Sequence, residues 1–175
     1  MKPGHLLLPA EGECRNAVYA AMMGWRVTAF DQSEAGKAKV KQLATHNHVC
    51  LEYDVCDFAH AVNPALSFDA VALIFAHFPP AVRPAFHRHI VAWLKSRGSL
   101  IVEAFSKQHS KHQQVNPSAG GPHQAELLYV QSDLINEFAG IHFAEAVETE
   151  TQLNEGLYHA GTASVIRLFG TKEAA

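Results

Sequence analysis

Two aspartates stand where short, β-rich runs end. Asp31 follows WRVTAF at 25–30, and Asp54 follows VCLEY at 49–53. A carboxylate just beyond the second strand of an open sheet can accept hydrogen bonds from both hydroxyls of a ribose. One beyond the third can take the exocyclic amine of an adenine, with the Val55 N–H reaching a ring nitrogen. Upstream lies PAEGECRN at 9–16, leading into a helical pattern. Its small residues Ala10, Gly12 and Cys14 allow close backbone approach, and the helix start adds free N–H groups and partial positive charge. Glu11 and Gln32 flank these positions and complete the candidate set for ligand binding. Single acidic residues at strand ends also serve as solvated turn formers or helix caps. Two at successive strand ends, beside a small-residue loop, favour an adenosine site. The G-x-G-x-x-G arrangement of nicotinamide and flavin enzymes is absent, which disfavours a nucleotide-dependent oxidoreductase.

His77 follows the longest apolar run, FDAVALIF at 68–75, and is the candidate general base. The competing reading is a histidine that caps a backbone group beside Pro79-Pro80. Glu103, near the end of SLIVEAF, is a candidate cleft carboxylate, and Tyr158 and His159 could face a substrate or form surface cross-strand pairs. Cys14 at a helix start could be a reactive thiol, or simply a small residue in a tight turn. Twelve histidines invite a metal reading, but His46-x-His48 and His87-x-His89 do not share a helix face, and His109-x-x-His112 lacks a completing ligand. No metal site is expected.

The elements that must position these groups follow from hydrophobic pattern. Leu6-Leu7-Leu8-Pro9 reads as a strand buried on both faces. A helix from Arg15 carries Val18, Ala21 and Met22 on its inner face and stops at Gly24. Ser33 caps the next helix, through Lys37, Val40 and Leu43. Pro79-Pro80 starts another, with a buried stripe of Val82, Phe86, Ile90, Trp93 and Leu94 and a stop at Gly98. Residues 99–105 form the fifth strand, and Ser132 caps a short helix with Leu134, Ile135 and Phe138, ending at Gly140. Residues 143–153 and 157–169, joined by Asn154-Glu155-Gly156, read as an antiparallel hairpin. The whole is a single α/β domain over 1–175: an open, mostly parallel sheet with helices on both faces. Residues 107–129 are polar and aperiodic, and are expected to be a mobile loop or lid.

Composition narrows the function classes. The 175 residues are 48% hydrophobic and carry a formal charge of −3, so neither a nucleic-acid footprint nor a membrane partner is indicated. No apolar run approaches a membrane span, and no signal peptide is recognisable. Three cysteines without a CxxC pair fit a reducing, cytoplasmic setting.

Taken together, PAEGECRNA at 9–17, Phe30-Asp31, Tyr53-Asp54-Val55, IFAHFPP at 74–80, GSLIVEAF at 98–105, Gly120-Gly121-Pro122 and NEGLYH at 154–159 resemble one family. It is the S-adenosylmethionine-dependent methyltransferases with a Rossmann-like sheet, in particular the small tellurite-resistance-type branch. The resemblance spans about Leu6 to Phe169. It implies strand order 3-2-1-4-5-7-6, with strand seven antiparallel between five and six. It also implies S-adenosylmethionine as cofactor: Ala10 and Gly12 lining its methionine part, Asp31 the ribose, Asp54 and Val55 the adenine, and Phe75 with Ala76 the pocket edge near the sulfonium. Leu8 replaces the family's acidic residue, and Ala10 and Cys14 replace two of its three glycines. Family members carry a covering helical segment before strand one, where this sequence begins. A second copy of the chain, as a homodimer, the 107–129 loop, or a natural segment upstream of Met1 is expected to cover the cleft. The implied activity is methyl transfer to a small-molecule nucleophile such as a thiol, selenium or tellurium species. The alternative is a non-catalytic protein on the same fold that binds adenosyl ligands or a partner.

Overall fold

The computed structural model describes residues 1–12, 15–155 and 159–174. Seven strands form one sheet in the order β3-β2-β1-β4-β5-β7-β6. They are β1 (His5–Pro9), β2 (Arg26–Asp31), β3 (Glu52–Val55), β4 (Phe68–Ile74), β5 (Leu94–Phe105), β6 (Ile141–Asn154) and β7 (Ala160–Lys172). The first five pair in parallel, whereas β7 runs antiparallel to both β5 and β6. This is the expected Rossmann-like α/β sheet with its C-terminal hairpin.

Side-chain alternation along the strands builds two cores, one on each face. Leu6, Leu8, Val27, Ala29, Ala70 and Ala72 pack with Ala17 and Val40, from α1 (Arg15–Met22) and α2 (Glu34–His46). On the opposite face Leu7, Phe30, Val71 and Leu73 join Ile90 and Trp93 of α3 (Arg83–Trp93), and Leu134 of α5 (Gln131–Glu137). Ser33 caps α2 as expected, its Oγ accepting the Gly36 N–H at 3.0 Å. Among the described residues, no helix is long and apolar enough to cross a membrane.

Several local expectations are corrected. Met22 lies on the exposed side of α1, and exposed Val82 precedes α3 rather than joining its buried stripe. The helix ends at Trp93 instead of Gly98. Phe68 pairs with Leu94 and Ala70 with Ser99, so residues 95–98 bulge from the sheet. Ser132 lies inside α5, which starts after Val130 without a side-chain cap. The 107–129 segment, expected to lack regular structure, contains α4 (His109–Val115) and two 3-10 turns, Pro117–Ala119 and Ala125–Leu127. It buries His109, Ala119, Leu128 and Tyr129, so it packs as an arm against the sheet.

Candidate functional site

At the ends of β1 and β2 the backbone makes a tight cradle. Beyond Pro9, both Ala10 and Gly12 take positive φ, +53° and +58°. This reversal lets the Gly12 N–H donate to Asp31 Oδ2 at 3.1 Å. The Ser33 N–H donates to Asp31 Oδ1 at 2.9 Å, so each carboxylate oxygen is oriented by one backbone group and keeps a further lone pair. The cradle also leans on α2: a Cβ on Gly36 would lie 2.7 Å from the Gly12 carbonyl oxygen, an approach only glycine allows. Glu11 points inward, and its Oε1 accepts the Ala17 N–H at 3.0 Å near the start of α1. Burial raises its carboxyl to about 7, against the opposing pull of these hydrogen bonds.

Asp31, Gln32 and Ala10 line a cavity of about 460 Å³ beneath this cradle, within the size range of small-molecule sites. Much of the remaining wall is aromatic. Phe58 stacks on Phe86 with centroids 4.4 Å apart and meets Phe30 and Phe78 edge-on at 5.6 and 5.0 Å. Asp54 and Val55, assigned to adenine from the sequence, lie within β3 paired to Phe30 and Asp31, and are not among the lining residues. The strand runs two residues farther than its pattern suggested, so Cys56, Asp57, Phe58 and Ala59 occupy the strand end instead. Phe75 and Ala76 are likewise not among the lining residues, which on this turn are His77, Phe78 and Pro79. Phe75 has φ +53°, donates its N–H to Glu103 O at 2.7 Å and stacks on Phe105. The signal for the missed residues was the Cys56-Asp57-Phe58 run, an isolated aromatic just past a strand.

His77 has no free nitrogen. Its Nδ1 lies 2.7 Å from the Leu127 carbonyl, and its Nε2 accepts the Phe105 N–H at 3.2 Å. A carbonyl needs a donor and an N–H an acceptor, so only the neutral Nδ1–H tautomer satisfies both. Burial lowers its pKa to about 4. Of the two readings of this residue, the geometry is that of a backbone cap. Glu103 pairs with Arg167 across β5 and β7, with Nε–Oε1 2.9 Å, instead of facing the cavity. His109 likewise links the Gly120 carbonyl to the Ser164 N–H. His159 stands edge-on to Phe75 and Phe105, with Nδ1 3.7 Å from Glu155 Oε2. Cys14 and Tyr158 lie outside the described residues. Among the described residues, no three His, Cys, Asp or Glu side chains converge as metal ligands would.

Residues 9–98, over half of the chain and containing the whole cradle, match the family model for a methyltransferase domain. The chain belongs to that methyltransferase-domain family. Solved structures agree on the fold of this methyltransferase domain. An S-adenosylmethionine-dependent methyltransferase from Methanosarcina mazei superposes with TM-score 0.75 at 13% identity, over 100% of this chain and 95% of the other. TehB from Haemophilus influenzae gives 0.78 at 14% identity, over 99% of this chain and 59% of TehB. The [4+2]-cyclase SpnF gives 0.76 at 14%, over 100% and 77%. No curated protein sequence matches. The methyltransferase-domain match ends at residue 98, so the arm and the hairpin are supported by the structural likenesses alone.

Proposed function

We propose that this domain binds S-adenosylmethionine at the β1–β2–β3 end of the sheet and transfers its methyl group to a small-molecule nucleophile. The observation that carries the reading is Asp31, oriented by two backbone N–H groups at the mouth of an aromatic-walled cavity. The residues present suit the cofactor. Asp31 offers its remaining lone pairs to the ribose hydroxyls, and Phe30, Phe58, Phe78 and Phe86 offer flat apolar surface for a purine. Asp57 lines the same cavity; its Oδ1 already accepts from the His60 N–H at 2.9 Å and lies 2.7 Å from His60 Nδ1, so it would meet an exocyclic amine through Oδ2. The Ala10–Gly12 turn leaves room for the methionine part. When bound, the cofactor supplies an already activated methyl group, so the protein's task is to orient donor and acceptor.

His77, with both nitrogens engaged, favours an acceptor that needs no proton removed at neutral pH. Thiolates and selenium or tellurium anions meet that condition better than alcohols. The free cysteines Cys50 and Cys56 accord with a reducing cytoplasm as the place of reaction. The same engagement of His77 supports a second reading, an adenosyl-binding protein that performs no methyl transfer.

Thermal melting with S-adenosylhomocysteine is the test. At about a hundred times its Kd the ligand adds roughly 2.7 kcal/mol, or about 5–10 °C for a domain of this size. A midpoint unmoved at millimolar ligand overturns the cofactor assignment. Binding without turnover of any thiol, selenite or tellurite supports the second reading.

A further inference from the structure

The arm at 107–129 ends in Tyr129, fully buried and held by its backbone to the end of β5. Its N–H donates to the Phe105 carbonyl at 3.0 Å, and its own carbonyl accepts from the Lys107 N–H at 2.9 Å. The ring lies between the His77 imidazole, stacked at 4.8 Å and 15°, and the Arg83 guanidinium, 4.9 Å above the centroid. Its hydroxyl donates to the Ala76 carbonyl at 3.1 Å and accepts from the Phe78 N–H at 2.9 Å. One phenol thus satisfies the backbone on both sides of His77, while the imidazole bonds Leu127 and Phe105. These four bonds fix a turn that opens with Phe75 at φ +53°, a conformation a bulky residue keeps only when its surroundings impose it. Phe78, next in that turn, is the cavity wall that meets Phe58 and Phe86.

We propose that Tyr129 is a positioning residue for the adenosyl cleft: its hydroxyl sets where Phe78 stands and so the width of the purine slot. The proposal rests on the cofactor reading above. A tyrosine that served only as packing would need one partner for its hydroxyl, anywhere. Here both partners belong to the turn that lines the cavity. The arm, remote in sequence from β1–β3, therefore takes part in shaping the cofactor site without touching it.

Tyr129→Phe keeps the ring and its stacking and removes only the hydroxyl. Affinity for S-adenosylhomocysteine, measured by calorimetry well below the melting midpoint, is expected to fall about tenfold. Exchange of the Phe78 amide should accelerate more than that of amides in β1 and β2. A merely structural role would lower the midpoint and leave the affinity of the folded protein unchanged. Binding within twofold of the wild type overturns the proposal. A wild type that does not bind overturns the cofactor reading itself, and the two failures are distinct because the wild type is measured first. If the variant does not fold, wild-type protein carrying [13Cζ]tyrosine decides. A Tyr129 resonance that shifts on adding S-adenosylhomocysteine supports the coupling, and one that does not move overturns it.

Discussion

The carboxyl ends of β1, β2 and β3 lie along one sheet edge with the carboxyl ends of β4 and β5 and the amino end of β7, but the two sides are built differently. On the first side the strands have four to six residues, and the polar groups beyond them are held by nearby backbone. Asp31 is oriented by Ser33, two residues on, and by the neighbouring turn at Gly12. Those groups retain capacity for a ligand. On the second side polar groups are consumed in joining distant segments: His77 to Leu127 and Phe105, His109 to Gly120 and Ser164, Tyr129 to Ala76 and Phe78. Beneath them Glu137 forms a bidentate pair with Arg83, at 2.7 and 2.9 Å. Its Oε2 also lies 2.8 Å from His87 Nδ1, within ion-pair range but outside hydrogen-bond geometry. One half of the edge is a receptive surface and the other is a braced wall. Substitutions in the wall should therefore register first in stability, Tyr129 excepted because its hydroxyl holds the turn that lines the cavity, and substitutions in the cradle first in affinity.

The largest effect should come from Glu137→Ala. It strands the Arg83 guanidinium, itself only 9% exposed, without its counter-charge. Breaking a buried pair in this way costs about 3–5 kcal/mol, a fall in midpoint on the order of 10 °C. Affinity of the remaining folded protein for S-adenosylhomocysteine should fall less than tenfold. Equal losses in stability and affinity would break the distinction between wall and cradle.

Asp31→Ala should invert the pattern. Removing a carboxylate that would accept both ribose hydroxyls weakens binding by roughly a hundredfold, from two charge-assisted hydrogen bonds. The Gly12 and Ser33 N–H groups lose their acceptor but are only part-buried, so water can replace it and the fold should lose about 1 kcal/mol. Calorimetric titration beside urea unfolding separates the two quantities. Unchanged affinity would remove Asp31 from the site.

The two halves also differed in how far the sequence revealed them. Asp31 was legible because its partners are local and its strand ends where the β-rich run ends. Strand order was not written in the hydrophobic pattern, which shows runs but not neighbours, and came from the family resemblance. The residues after β3 were missed because a four-residue edge strand gives too little alternation to locate its end, displacing the reading from Cys56–Asp57–Phe58 to Asp54–Val55. In the wall the omission was systematic. Tyr129 meets the β4 turn across more than fifty residues, and Arg83 meets Glu137 across a similar gap. No periodicity encodes such pairings. Polar residues at 107–129 looked like a solvated loop because some of their hydrogen-bond partners lie far along the chain, His109 on Ser164 and Asn116 on Ala160.

pH should sharpen the contrast, with opposite signs on the two sides. Burial holds His77 and His87 in the wall near pKa 4, below the ordinary 6.5. The fold favours their neutral forms, so their contribution is complete above about pH 6.5 and is lost as pH falls through 4. Glu11 in the cradle is raised from 4.5 to about 7, so the fold favours its protonated form. Its contribution is complete below pH 4.5 and is lost as pH rises through 7. Acid should therefore loosen the wall, and mild alkali the cradle. Glu11→Gln keeps an oxygen for the Ala17 N–H but cannot ionise. Its stability relative to the wild type should grow from pH 4.5 and level off above 7, by about 1–3 kcal/mol. Urea midpoints across pH 4–8 give the curve, and parallel profiles for the two proteins would mean that Glu11 does not titrate in this range.

The smallest effect tests how finely the cradle is set. Gly36 lies one turn into α2, where its missing side chain admits the Gly12 carbonyl oxygen. An added methyl would sit 2.7 Å from that oxygen and 3.1 Å from the Tyr53 hydroxyl, too close for either to remain in place. Alanine also favours a helix over glycine by up to about 1 kcal/mol, which offsets part of the collision. The collision is with a backbone atom and outweighs that gain, so stability should fall by about 1 kcal/mol while the turn at Gly12 shifts to relieve the contact. Because that turn both orients Asp31 and lines the cofactor path, Gly36→Ala should weaken S-adenosylhomocysteine several-fold, with the Gly12 amide resonance shifted even in the unliganded protein. An unshifted Gly12 amide with unchanged affinity would mean that the cradle yields freely. The positive φ values at Ala10 and Gly12 would then reflect a tight strand-to-helix turn and not a surface held in readiness for a ligand.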